Sequence, residues 1–195
     1  MTAVEHDKSN GYERMAEHFI AARNHRIGPA NVRAWSRTLA PGSRVLELGC
    51  GNGIPISQVL IEEGLDLYGV DASVKMINAF RKNFPNAHAE WATVEDSGFF
   101  QRKFDAVLAW GLIFLLPPAV QRVIIHKVAA ALNAKGRFLF TAPKEIATWR
   151  DSITDCESIS LGADRYREIL LDAGLVLEDE QSDEGENYYY QASKP

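Results

Sequence analysis

The sequence predicts an α/β fold of three layers: a mostly parallel sheet of about seven strands, covered by helices on both sides, with an antiparallel terminal strand. Three observations predict it. Short apolar runs alternate with amphipathic stretches along most of the chain. A glycine-rich turn, Gly49-Cys-Gly-Asn-Gly53, follows an apolar run and opens a helical stretch. The chain then closes on two strand-like runs joined by turn residues, the pattern of a hairpin at a sheet edge.

The elements follow in order. Residues 11–26 read as a helix, because Tyr12, Met15 or Ala16, Phe19 and Arg23 recur at helical spacing and share one face. A second helix over 31–39 stops before Pro41-Gly42. Residues 44–48 form the first strand, and the glycine turn leads into a helix over 55–63 with Pro55 in its first turn. A strand over 65–70 precedes a helix over 73–83 that Ser73 can cap. Strands follow over 88–91 and 104–110, and Pro117-Pro118 open a helix to 132. A turn over 133–136 leads to a strand over 137–142, and a loop runs over 143–161. A helix over 164–173 and strands over 175–180 and 188–192 complete the chain.

Composition bounds the function. The chain has 195 residues, 46% of them hydrophobic, which suits one domain with a substantial core. The net charge of -5 argues against nucleic acid as a partner, since such surfaces are basic. No apolar run is long enough to cross a membrane, and the polar residues 1–10 do not read as a secretory signal. Cys50 and Cys156 are the only cysteines, so a disulfide is not expected and a cytoplasmic setting fits. His6, His18, His25, His88 and His126 show no ligand spacing, so no metal is expected. The acidic run over 178–186 reads as a solvated hairpin.

The strongest motif is Val45-Leu-Glu-Leu-Gly-Cys-Gly-Asn-Gly53. Its glycines let backbone approach a ligand at a strand-to-helix junction, where open α/β sheets bind ligands. The dinucleotide fingerprint G-x-G-x-x-G would need a glycine where Ile54 stands. The motif instead resembles the acidic–x–Gly–x–Gly–x–Gly signature of class I, Rossmann-like, S-adenosylmethionine-dependent methyltransferases, with Glu47 in the acidic place. Asp71, at the end of Leu67-Tyr-Gly-Val-Asp71, is similar to the family's ribose-binding acid, and its other reading is a helix cap. Met76 resembles the apolar cover of the adenine, and Ala92-Thr-Val-Glu-Asp96 resembles the adenine-reading segment, with Thr93 where the family offers an acid. Phe104-Asp-Ala-Val-Leu-Ala-Trp-Gly111 resembles the strand whose end faces the methyl group, without the motifs of nucleic-acid-methylating enzymes. Asn133-Ala-Lys-Gly136 and the run after it resemble the family's following turn and strand.

The resemblance covers residues 44–141 and implies transfer of a methyl group from S-adenosyl-L-methionine to a small molecule, leaving S-adenosyl-L-homocysteine. It implies one domain over 1–195: a helical cap over 1–40, a cofactor-binding core over 44–142 and an acceptor-side segment over 143–195. The cofactor would meet Glu47, Gly49, Cys50, Gly51, Asn52, Gly53, Asp71, Ala72, Met76, Thr93, Val94, Ala109 and Trp110, with Tyr12 and Arg23 from the cap. Arg23 would pair with the methionine carboxylate. Aromatic residues in loops at the sheet's carboxyl edge make Trp149 and Tyr188 candidates for the acceptor pocket. No catalytic base is identifiable. Two other readings stand beside this one: a nicotinamide-dependent oxidoreductase, and a non-catalytic S-adenosylmethionine-binding protein of the same fold.

Overall fold

The computed structural model describes residues 7–195. Met1 to His6, which include the first residues of the expected cap, lie outside the described residues. The chain runs α1 (Tyr12–Ala22), α2 (Pro29–Ser36), β1 (Arg44–Leu48), α3 (Ile56–Glu62), β2 (Asp66–Asp71), α4 (Val74–Asn83), β3 (His88–Trp91), β4 (Phe104–Ala109) and α5 (Pro118–Ala131). It continues as β5 (Leu132–Thr141), β6 (Ile146–Arg150), β7 (Glu157–Leu161), α6 (Ala163–Asp172), β8 (Val176–Ser182) and β9 (Tyr188–Ser193).

Seven strands form one sheet in the order β3-β2-β1-β4-β5-β9-β8. Strands β1 to β5 pair in parallel, whereas β9 lies antiparallel to β5 and to β8. The parallel strands are nearly continuous apolar runs because both faces are covered. Alternation decides which helix each residue meets. Val45, Leu67, Leu108, Leu139 and Tyr189 pack with Val32 and Trp35 of α2, Val59 and Leu60 of α3 and Phe80 of α4. Leu46, Val70, Val107, Phe138, Phe140 and Tyr190 pack with Ile124 and Val128 of α5 and Ile169 of α6 on the other face. The strand order reverses at β1 and β4, so the crevice of this fold opens at their carboxyl ends.

The structure departs from the sequence expectation at three places that bear on the site. Helix α1 ends at Ala22, and Arg23 is extended (φ -58°, ψ 126°), so Arg23 does not continue the helical face of Tyr12 and Phe19. The expected turn over 133–136 lies inside β5 as an irregularity, with Lys135 at φ 62° and a register shift against β4. The expected loop over 143–161 is a separate antiparallel hairpin of β6 and β7. Its turn is built by Asp151, whose carboxylate accepts the backbone N–H groups of Ile153 (3.0 Å) and Thr154 (2.8 Å). The hairpin tip abuts α1: a Cβ on Gly11 would stand 2.9 Å from Thr154 Cβ.

Candidate cofactor and acceptor site

A cleft of about 940 Å³ opens at the carboxyl ends of β1, β2 and β4, with α1 across its mouth. The first wall is the glycine turn after β1. Gly49 and Cys50 donate to Val70 O (2.8 and 3.1 Å), and Gly51 N–H donates to Asp71 Oδ2 at 2.8 Å, which sews the turn to the end of β2. Gly49, Gly51 and Gly53 all have positive φ, between 56° and 82°. Only at Gly51 would a Cβ meet open space; at Gly49 it would meet Leu112 at 3.1 Å, and at Gly53 it would strike Phe84 Cε2 at 2.4 Å. A side chain at Gly51 would therefore project into open space beside the cleft, whereas Gly53 is glycine so that the turn can pack against α4.

Asp71 is not the N-cap of α4, a place that Ser73 holds, but it braces that cap through its backbone. Its Oδ1 accepts Ser73 N–H at 2.8 Å, and Ser73 Oγ caps α4 by accepting Met76 N–H at 3.1 Å. Each carboxylate oxygen receives one backbone donor and keeps lone-pair capacity for a ligand in the cleft, enough for the two hydroxyls of a vicinal diol. Burial pushes its pKa up to about 6, against the pull of the Ser73 and Gly51 N–H groups. Glu47 is buried at 3% exposure and accepts Ser57 Oγ–H at 2.5 Å. Burial raises its pKa to about 8, Asp71 adds to the rise, and the Ser57 hydrogen bond and Arg23 oppose it. Burial likewise pushes the Cys50 thiol up, so it does not present a thiolate.

Arg23 sits at the other end of the cleft. Its guanidinium lies 4.3 Å from the Trp110 ring centroid and 5.0 Å from that of Phe19. Its Nε is buried and has no hydrogen-bond partner among the described residues, and burial depresses its pKa. A buried, unpartnered cationic donor in a cleft fits an anionic ligand group. Tyr12 stacks edge-on against Phe19 and donates to Asp151 Oδ2 at 3.4 Å, while burial raises its phenol pKa. Glu13 of α1 accepts Ser73 Oγ–H (2.6 Å) and Lys75 N–H (3.1 Å), which ties α1 to the start of α4. Thr93 and Val94 line the cleft beside Met76 and Ala72. The donor set is thus diol-accepting at Asp71, anion-accepting at Arg23 and cation-accepting at Glu47, with apolar side chains between. It fits an adenosine joined to an amino acid.

A family profile described as a methyltransferase domain matches residues 45–136, from β1 into the β5 irregularity. Over that segment, a little under half of the chain, the protein is similar to methyltransferase domains. The chain is 30% identical over 111 residues to an uncharacterized methyltransferase of Synechocystis sp., a match spanning 57% of this chain and 52% of that one. It is 34% identical over 98 residues to an uncharacterized methyltransferase of Mycobacterium tuberculosis, spanning 50% of this chain and 39% of that one. The matches thus span about half or less of these curated relatives. Among solved structures, its fold is similar to magnesium protoporphyrin IX methyltransferase from Synechocystis with bound S-adenosylmethionine (TM-score 0.77, 18% identity, 100% of both chains). It is also similar to the CcbJ methyltransferase of Streptomyces caelestis (TM-score 0.79, 15% identity, 97% of this chain and 99% of that one).

Fourteen of the fifteen residues expected to contact the cofactor line the cleft; Ala109 is the exception. Ala109 is fully buried, because the last residue of β4 faces the helix layer containing α5 rather than the crevice. Trp149 and Tyr188, expected in the acceptor pocket, do not border this cleft. Trp149 packs against Phe114 at 5.4 Å, one layer behind the wall. Tyr188 points to the α5–α6 side and stacks edge-on on Tyr190 at 5.2 Å, whereas strand alternation turns Tyr189 towards Trp110. Residues that sequence reasoning passed over complete the lining: Ser9 and Asn10 before α1, and Leu112, Leu115 and Leu116 between β4 and α5. The leucines were legible only as an apolar run before Pro117. Asn10 carried a usable signal, since Asn-Gly marks a left-handed turn; its φ is 52° and its buried Nδ2 has no partner among the described residues.

Proposed function

We propose that this protein binds S-adenosylmethionine in the cleft and transfers its methyl group to a small-molecule acceptor. The observation that carries the reading is the pairing, in one cleft, of the half-buried Asp71 carboxylate with the Arg23 guanidinium, whose buried Nε has no partner among the described residues. Asp71 would accept the ribose hydroxyls, and Arg23 would take the carboxylate of the amino-acid end. Glu47 would face the ammonium group, and Thr93, Val94 and Met76 would hold the adenine. When bound, the sulfonium supplies a methyl group already activated for in-line displacement. The chain's own contribution is orientation and exclusion of water, worth roughly 7–11 kcal/mol of a barrier when two reactants are held in attack geometry. Leu112, Leu115 and Leu116 would form the acceptor side, an apolar wall that favours a small apolar molecule over a polyanion. The small-molecule acceptor agrees with the substrate that the name of the Synechocystis protoporphyrin enzyme states.

The spacing of the glycines speaks against a nicotinamide cofactor, since Ile54 stands where the fingerprint needs glycine. The test is incubation with S-adenosylmethionine labelled in the methyl group and a metabolite extract, with Asp71→Ala as control. Label should move to a small-molecule fraction with wild type and not with the variant. Tight binding without transfer would favour a non-catalytic role, and no binding would defeat the reading.

A further inference from the structure

The turn between β8 and β9 belongs to the acidic stretch 178–186, which reads in sequence as a solvated hairpin. One of its carboxylates is turned inward. Asp183 accepts the backbone N–H groups of Gly185 (2.9 Å) and Asn187 (3.0 Å), Asn187 Nδ2–H (2.9 Å) and the Tyr189 hydroxyl (2.8 Å). Tyr189 is fully buried, and its oxygen accepts the indole Nε1–H of Trp110 at 2.7 Å. The direction of this chain is fixed by chemistry. An indole N–H can only donate, so the hydroxyl must give its single proton to Asp183 and present a lone pair to Trp110. Trp110 in turn carries the Arg23 guanidinium over its ring at 4.3 Å. Gly28 packs beside the ring, where a Cβ would stand 3.0 Å from its Cζ2. Arg23 itself has a buried Nε without a partner, so the pose of the indole sets where its donors point.

We propose that Tyr189 and Asp183 are positioning residues for a carboxylate subsite: through Trp110 they hold the Arg23 guanidinium in the orientation that receives the carboxylate of the cofactor's amino-acid end. The proposal rests on the S-adenosylmethionine reading above. Neither residue lines the cleft; both act through the indole. Losing the Tyr189 hydroxyl leaves the half-buried indole N–H without that acceptor, and the ring can then shift with the cation stacked on it.

Two ligands separate this role from general stability. S-adenosylhomocysteine carries the amino-acid end; 5′-methylthioadenosine shares the nucleoside and the sulfur but lacks that end. Calorimetry on the full chain should show that Tyr189→Phe raises the S-adenosylhomocysteine Kd about five- to tenfold while the methylthioadenosine Kd stays within about twofold. Trp110→Phe, which keeps a ring but removes the N–H, should give the same selective loss and serves if Tyr189→Phe does not fold. The double variant should lose no more than the larger single loss, because both substitutions break one bond. An unchanged S-adenosylhomocysteine Kd in Tyr189→Phe, or equal losses for both ligands, overturns the proposal. If wild type binds neither ligand, the cofactor reading fails and the proposal with it. If wild type binds both equally tightly, the nucleoside reading stands and the carboxylate subsite alone falls.

Discussion

At the scale of single residues, Gly51 and Gly53 look interchangeable in the sequence and are not. Both have positive φ, so any alanine there carries a left-handed backbone cost of about 1–2 kcal/mol. A Cβ at Gly51 enters open space in the cleft, whereas at Gly53 it collides with Phe84 at 2.4 Å and Phe80 at 3.0 Å. Overpacking of that kind adds about 1–3 kcal/mol. Gly53→Ala should therefore lower the Tm clearly more than Gly51→Ala, and Gly51→Leu should weaken S-adenosylhomocysteine binding by filling the cleft. Equal Tm losses in the two alanine variants would mean that the Phe84 contact relaxes without cost. Asp71 yields a second expectation. Its carboxylate would serve a diol and also pins Gly51 N–H and Ser73 N–H. Each hydrogen bond to a charged group is worth about 1.5–3 kcal/mol. Asp71→Ala should raise the Kd at least tenfold for S-adenosylhomocysteine and methylthioadenosine alike, the opposite selectivity from the amino-acid end. A Kd within about twofold of wild type would leave Asp71 only as a brace for the Gly51 and Ser73 backbone.

At the scale of elements, the segment between β3 and β4 owes its shape to a side chain on α5. Lys127 Nζ donates to three backbone carbonyls, Val94 (2.8 Å), Glu95 (2.9 Å) and Ser97 (2.6 Å), and lies 4.4 Å from the Phe99 ring centroid. One ammonium group thus gathers the segment that brings Thr93 and Val94 to the cleft. Lys127→Met should release it, weakening both ligands by a similar factor, roughly tenfold, with a modest loss of Tm. Losses confined to S-adenosylhomocysteine would place the effect at the amino-acid end instead. The short strands β6 and β7 are the element that sequence reading missed. β6 is largely exposed and the buried positions of β7 are the serines Ser158 and Ser160, so neither strand carries apolar contrast, and their turn depends on Asp151 bonding to backbone N–H groups that periodicity does not register. By contrast, β1 and β3 were legible to the residue, because glycine, proline and an abrupt change of polarity bound them.

At the scale of the whole molecule, the buried acids link stability to pH. Folding raises Glu47 from its usual 4.5 to about 8 and Asp71 from 3.8 to about 6. The folded state therefore keeps protons that the unfolded chain has already lost, so stability falls as pH rises from about 4 through about 8. The surface acids Glu62, Glu63 and Asp96 act in the opposite sense, because Arg33, Arg37 and Lys8 hold their pKa values down and that contribution is lost in acid. The ligand-free Tm should peak near pH 5 and decline towards pH 8.5, and Glu47→Gln should flatten the upper part of the decline. A Tm that rises between pH 6 and 8 would contradict the buried, protonated Glu47. The sequence by itself determined the alternation of strands and helices, the glycine turn with Glu47, and the acid at the end of β2, because these are local patterns of polarity and backbone freedom. Only the tertiary structure decided that Gly53 answers to Phe84, that Arg23 leaves its helix to stack on Trp110, that Tyr189 rather than Tyr188 faces that indole, and that Asp183 stands behind it. Each of these depends on which residues distant in the chain the sheet order brings together, and on which face of a strand an odd or even position presents, and no local pattern encodes either.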